Sequence, residues 1–132
     1  MHLKAESDYA IRMMAALAAE NRRISAHIIA QRTGVTPRFA LKILRKLVGA
    51  GLVASHKGAG GGYELKVDPK EVSLLDVIQT VEGTYTINRC LLDEGFCNYD
   101  HGDEQCKVQK QFERVNDLIC EQLSSITFAD LI

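Results

Sequence analysis

One segment leaves this chain few choices of fold. Residues 36–51 read Thr-Pro-Arg-Phe-Ala-Leu-Lys-Ile-Leu-Arg-Lys-Leu-Val-Gly-Ala-Gly. Thr36 is an N-cap followed by proline at the first helical position, and Gly49-Ala50-Gly51 is a C-terminal stop. At 100° per residue from Arg38, Ala40, Ile43, Leu44 and Leu47 fall within about 140–240°, whereas Lys42 (about 40°) and Arg45 (about 340°) flank Arg38. Such a helix lays its apolar face on a core and presents a basic face outward. A shorter helix precedes it, starting at Ser25, turning Ile28 and Ile29 inward and stopping near Gly34. Two helices joined by Arg32-Thr33-Gly34-Val35, the second basic outward, form a helix-turn-helix pattern.

The residues that follow extend that pattern. Leu52-Val53-Ala54-Ser55 and Tyr63-Glu64-Leu65-Lys66-Val67 are strand-like runs around the glycine-rich His56–Gly62, which predicts a β-hairpin, or wing. The glycines do not make a nucleotide loop. No Lys-Ser or Lys-Thr completes a P-loop, Tyr63 stands where the dinucleotide fingerprint needs its last glycine, and no helix follows. A tip that brings backbone N–H groups to phosphate fits better.

Charge points the same way. Residues 1–66 hold 11 Lys and Arg against 4 acids, and residues 67–132 hold 5 against 13. The 43 positions between Glu20 and Glu64 contain no acid at all. They do contain Arg22, Arg23, Arg32, Arg38, Lys42, Arg45, Lys46 and Lys57. An acid-free basic stretch reads as a polyanion-binding surface, because ordinary solvated faces mix both signs.

With 132 residues there is room for one modest core. A first helix of about residues 6–20, with Ser7 as N-cap, turns Ala10, Met13, Met14, Leu17 and Ala18 to one side. After Asp68-Pro69, Ser73 and Asp76 form a capping box for a fourth helix carrying Leu74, Leu75, Val77, Ile78 and Val81 and ending at Gly83. Residues 84–106 are polar and turn-rich and hold three cysteines. A last helix of about 107–124 places Val108, Phe112, Val115, Ile119, Leu123 and Ile126 on a narrow seam, with Lys110, Arg114, Asp117 and Glu121 opposite; such a seam serves core packing or, at least as readily in a small DNA-binding protein, a dimer interface. Thr127-Phe-Ala-Asp-Leu-Ile is a capped apolar turn expected to pack back onto the body.

The predicted class is therefore mostly α with a small β-hairpin: a winged helix-turn-helix plus a long C-terminal dimerisation helix. The chain divides as 1–83 (winged helix and following helix), 84–106 (cysteine loop) and 107–132 (dimer helix and cap), one compact domain overall. No apolar run spans a bilayer and no secretory h-region opens the chain, so a cytoplasmic protein without a membrane partner is expected. The histidines His2, His27, His56 and His101 fall in separate segments without a nucleophile motif, which gives an enzyme no support.

These residues resemble the Rrf-type winged-helix regulators. The resemblance runs through Ser7-Asp8-Tyr9-Ala10-Ile11-Arg12, Ile29-Ala30 to Gly34, and Leu44 and Leu47 before Ala50-Gly51-Leu52-Val53. It continues in Gly58, Gly61-Gly62-Tyr63 and Leu65, in Val72-Ser73-Leu74, Asp76-Val77-Ile78 and Val81-Glu82-Gly83, and in Thr127-Phe-Ala-Asp-Leu. It implies a homodimeric transcriptional regulator, expected to act as a repressor on a near-palindromic double-stranded DNA operator. The third helix would enter the major groove with Thr36, Arg38, Phe39, Lys42 and Arg45, and the hairpin tip would reach the minor groove with His56, Lys57 and Gly58.

The resemblance also bears on the loop thiols. Cys90, Cys97 and Cys106 are spaced C-x6-C-x8-C, where sensor members of the family hold an iron–sulfur cluster. The fourth ligand varies in the family, and Asp8 or His101 is the matching candidate here. Three thiolates bind iron well, and a weak fourth ligand leaves one iron open to oxygen or nitric oxide. Two other readings stand beside this one. The loop can hold inert or redox-active thiols in a cluster-free regulator controlled by thiol oxidation, a small molecule or a partner protein, or it can bind zinc. Cys120, at the edge of the seam, is read as a packing residue.

Overall fold

In a computed structural model, the description covers residues 2–92, 97–102 and 104–132. Positions 93–96 and 103 of the expected loop lie outside the described residues. The helices are α1 (Ala5–Glu20), α2 (Ala26–Thr33), α3 (Pro37–Gly49), α4 (Leu74–Glu82) and α5 (Lys107–Ser125). Strands β1 (Val53–His56) and β2 (Gly62–Leu65) separate α3 from α4, and short 3-10 turns lie at Pro69–Glu71, Arg89–Leu91 and Phe128–Leu131.

Local capping explains most of these boundaries. The Ser25 hydroxyl accepts the Ile28 N–H at the start of α2, and Thr36 accepts that of Phe39 at the start of α3. At α4 the expected box is formed in full, Ser73 accepting from Asp76 N–H while Asp76 accepts from Ser73 N–H. The first helix differs from the sequence expectation. It starts at Ala5, its N-cap is Lys4, and Ser7 is fully buried within the first turn. The acceptor for that helix end comes from α4 instead. Glu82 Oε1 takes the Lys4 N–H at 3.1 Å and the Ser7 hydroxyl at 2.6 Å. A carboxylate there satisfies orphan donors and complements the positive end of the α1 dipole.

The core is laid down by the apolar faces read above. Ala10, Met13, Met14 and Leu17 of α1 meet Ile29 of α2, Ala40, Ile43, Leu44 and Leu47 of α3, and Val77 and Val81 of α4. Each is 7% exposed or less, and burial of a side chain the size of Leu contributes about 1.5–3 kcal/mol. Phe128 closes this core with no exposed surface, so the terminal turn packs inward as expected. Its Thr127/Asp130 capping box is formed, and a bridge pairs Thr127 with Ser73.

The hairpin is antiparallel, pairing Val53 with Leu65 and His56 with Gly62. Its strands are shifted by one residue from the expected start points. Ile24 adds a one-residue bridge on the far side of β2, exchanging two hydrogen bonds with Tyr63 at 3.0 and 2.8 Å. That contact sets the role of Gly62: at φ 132°, a Cβ there would lie 2.7 Å from the Ile24 carbonyl oxygen. Gly61 is equally confined, its Cβ position being 2.4 Å from the His56 carbonyl. The Gly61-Gly62 pair is thus structural, and the open tip is Gly58–Gly60.

Candidate nucleic-acid interface and cysteine cleft

With its apolar face on the core, α3 turns Arg38, Lys42 and Arg45 to solvent. Thr36, Arg38, Phe39, Lys42 and Arg45 line one shallow groove of about 440 Å³ along that face, together with Leu41. Phe39 is half-buried and anchors α3 to α1, its ring meeting Tyr9 edge-on at 5.7 Å, with the Lys42 ammonium 5.9 Å from its centroid. His56, Lys57 and Gly58 lie on a different element, the outer end of the hairpin.

The stretch that is acid-free in sequence does not stay acid-free in space. Glu20 pairs with Arg22 and Arg32, and Glu64 pairs with Arg23 and with His56 Nε2 at 2.7 Å. Hydrogen bonds from Arg32 and then Arg22 hold the Glu20 carboxyl below its ordinary range. For Glu64, loss of hydration pushes the value up, but the bonds from Arg23 and His56 outweigh it and the net shift is downward. Lys46 is also occupied, 2.8 Å from Glu6 Oε1 and donating to the Val81 carbonyl at 3.3 Å. Arg38, Arg45 and Lys57 remain exposed with no acidic partner within 4 Å among the described residues. Lys42 lies 3.9 Å from Glu6 at the edge of that set. Of the basic residues in the acid-free stretch, those left available to a phosphate or a base edge are on the α3 groove and at the hairpin tip.

A second feature lies at the start of α5. Cys90, Cys97, Cys106 and His101 line one cleft of about 670 Å³, floored by Val108 and Phe112. Cys106 caps α5, its Sγ accepting the Gln109 N–H at 3.5 Å, while the Gln109 side chain donates to the Cys90 carbonyl at 2.9 Å. Seven residues on, Asn116 accepts the Ile87 N–H at 2.9 Å and donates toward Cys120 Sγ at 3.8 Å. Two amides, about two helical turns apart on one face, thus pin the loop's first half to α5. The sequence reading passed over both; their seven-residue spacing was the available signal.

His101 Nδ1 is 2.7 Å from the Glu104 carbonyl. That contact suits an Nδ1–H donor, the tautomer that leaves the Nε2 lone pair free. Asp8 does not line the cleft; it pairs with Arg12 at 2.8 Å on α1. Among the described residues, no three His, Cys, Asp or Glu side chains converge on a point that could hold a metal ion. Burial, with Asp117 nearby, pushes the Cys120 thiol up from its ordinary value, which fits its reading as a packing residue.

The seam of α5 is divided. Phe112, Ile119, Leu123 and Ile126 are half-buried against the body, whereas Val108 and Val115 are 50% and 43% exposed. Leu118, absent from the expected seam, is 55% exposed. No residue of this helix is buried, and no helix among the described residues is long and apolar enough to cross a membrane.

Comparison with known proteins matches residues 3–132 to the Rrf2 family, described as "Iron-dependent Transcriptional regulator". A Rhodobacter capsulatus protein named as an rrf2-like HTH-type transcriptional regulator is 32% identical over 131 residues, 94% of this chain and 87% of its own length. The solved structure of T. potens IscR is similar with a TM-score of 0.79 at 28% identity, covering 99% of this chain and 85% of that one. CymR, titled the global cysteine regulator of B. subtilis, gives 0.81 at 26% identity over 99% and 95%.

Proposed function

The chain belongs to the Rrf2 family of winged helix-turn-helix transcriptional regulators, and from that premise we propose a specific use of its surfaces. It is a DNA-binding regulator. It binds an operator as a homodimer, with α3 in the major groove of each half-site and the Lys57-Gly58 tip at the adjacent minor groove. It acts in the cytoplasm by binding, not by catalysis. The observation that carries this reading is that, among the described residues of the acid-free stretch, Arg38, Arg45 and Lys57 have no acidic partner whereas Arg22, Arg23 and Arg32 pair with Glu20 or Glu64. Selection from randomised duplexes tests it. A near-palindromic site should emerge, with affinity falling linearly in log salt. Binding that is sequence-blind rejects the reading.

For the loop, the donor set fits an iron–sulfur cluster in kind: three thiols and an imidazole whose Nδ1 is bonded to the Glu104 carbonyl line one cleft. Cys90, Cys97 and Cys106 would hold it, with His101 as fourth ligand or Asp8 supplied by the second subunit. A bound cluster would supply an iron reactive toward oxygen or nitric oxide. The chain's own part is to tie the loop to the first turn of α5, through Gln109 and the Cys106 cap, so that a change in the loop reaches the dimer helix. Regulation requires only a difference in DNA affinity between the two states, ~1–3 kcal/mol. Anaerobically isolated protein should be brown and contain iron and sulfide, and serine at each of the three positions should abolish the colour.

A second reading is cluster-free control by thiol oxidation. It is favoured by the exposure of Cys97 and by the lack of a convergent metal position among the described residues. Colourless protein after anaerobic reconstitution, with operator binding sensitive to peroxide, selects it.

A further inference from the structure

Leu41 is an exposed apolar side chain in the middle of a cationic surface. It is 37% exposed and lies in the α3 groove with Arg38, Lys42 and Arg45. On the helix wheel it falls at about 300°, between Arg45 and the edge of the apolar face. The core does not need it there, because Ala40, Ile43, Leu44 and Leu47 already fill that face with no exposed surface. Nor does Phe39 supply an outward apolar contact, since its ring is engaged by Tyr9 and Lys42. A single exposed leucine is ordinary on a protein surface, but here its neighbours are the partner-free cations that would grip phosphate and base edges.

Leucine can neither donate nor accept a hydrogen bond, so it has no use for a phosphate or a base-edge polar atom. The apolar feature that the major groove offers is the C5-methyl group of thymine. We propose that Leu41 is a specificity-determining residue that reads a thymine methyl in each half-site, while Arg38 and Arg45, about one turn from it toward either end of α3, supply the polar contacts around it. This inference rests on the placement of α3 in the major groove.

The test uses the full-length protein and a duplex recovered by selection from random sequence. Each thymine is replaced in turn by deoxyuridine, which deletes the methyl and leaves base pairing intact. At one thymine per half-site the wild-type protein should lose about fourfold in affinity, the value of one buried methyl. Leu41→Ala should bind the thymine and uracil duplexes alike, with an unchanged salt slope. Leu41→Gln, similar in length but polar, should also be methyl-blind, which guards against an effect of cavity alone. If both variants lose as much as wild type at every uracil position, or if wild type loses nothing, the assignment is overturned. If wild type selects no sequence at all, the placement of α3 fails first and this inference falls with it.

Discussion

Arg38 and Lys57 both lack an acidic partner among the described residues, yet their surroundings differ. Arg38 sits in the first turn of α3 inside the groove, whereas Lys57 stands beside the open tip at Gly58, whose φ is 93°. Arg38→Ala should relax sequence preference and cost ~1–3 kcal/mol on the selected operator. Lys57→Ala should weaken all duplexes similarly and lower the salt slope by about 1. Equal, sequence-blind losses from both would remove direct readout by Arg38. Glu20 supplies a prediction of the opposite kind, about the fold. Its folded value is depressed, so its pairing with Arg32 and Arg22 contributes above the ordinary value of 4.5 and is lost as pH falls through the lowered one. In acid titrations followed by circular dichroism, the stability gap between wild type and Glu20→Gln should be full at neutral pH and close below about pH 4.5. The sequence showed which residues are basic, but not which are neutralised. Glu20 and Glu64 close the acid-free stretch at its two ends, and only folding brings them back over it.

At the scale of elements, local signals were reliable wherever the physics is local. Ser25, Thr36 and Ser73 each cap the helix that their position announces. Ser7 looks the same in sequence but caps no helix; its hydroxyl donates to Glu82, 75 residues away, beyond any local pattern. The Ile24–Tyr63 bridge escaped notice for the same reason. The α5 seam was legible as periodicity, yet a periodicity does not say which half faces the body. Exposure separates the two halves, and the outward one gives a test of dimerisation. Val115→Lys with Leu118→Lys changes side chains that are 43% and 55% exposed in the single chain, so the fold should survive. Two charges forced into a desolvated interface should cost several kcal/mol. Sedimentation should report a monomer of unchanged helicity with weakened operator binding; an intact dimer would move the interface elsewhere.

For the molecule as a whole, the C-terminal turn is as much a part of the DNA-binding body as α3 is. Phe128 has no exposed surface, and its backbone N–H bonds to the Val72 carbonyl at 3.1 Å. The sequence announced a turn that packs back, but not that its aromatic ring would be the largest buried side chain of the core. Phe128→Ala should cost about 3–5 kcal/mol in urea unfolding, a large share of the stability of a domain this small. A loss below about 1 kcal/mol would place the turn outside the cooperative core. This arrangement has a consequence during synthesis. A ribosome that has released α1 through β2 has made every residue proposed to touch DNA, but the core stays open until residue 128 emerges. By then the cysteine loop and α5 have been made as well. On the regulatory reading proposed above, operator-binding competence therefore arrives together with the loop that would control it, and a chain terminated before residue 128 should bind the operator less tightly than the full chain.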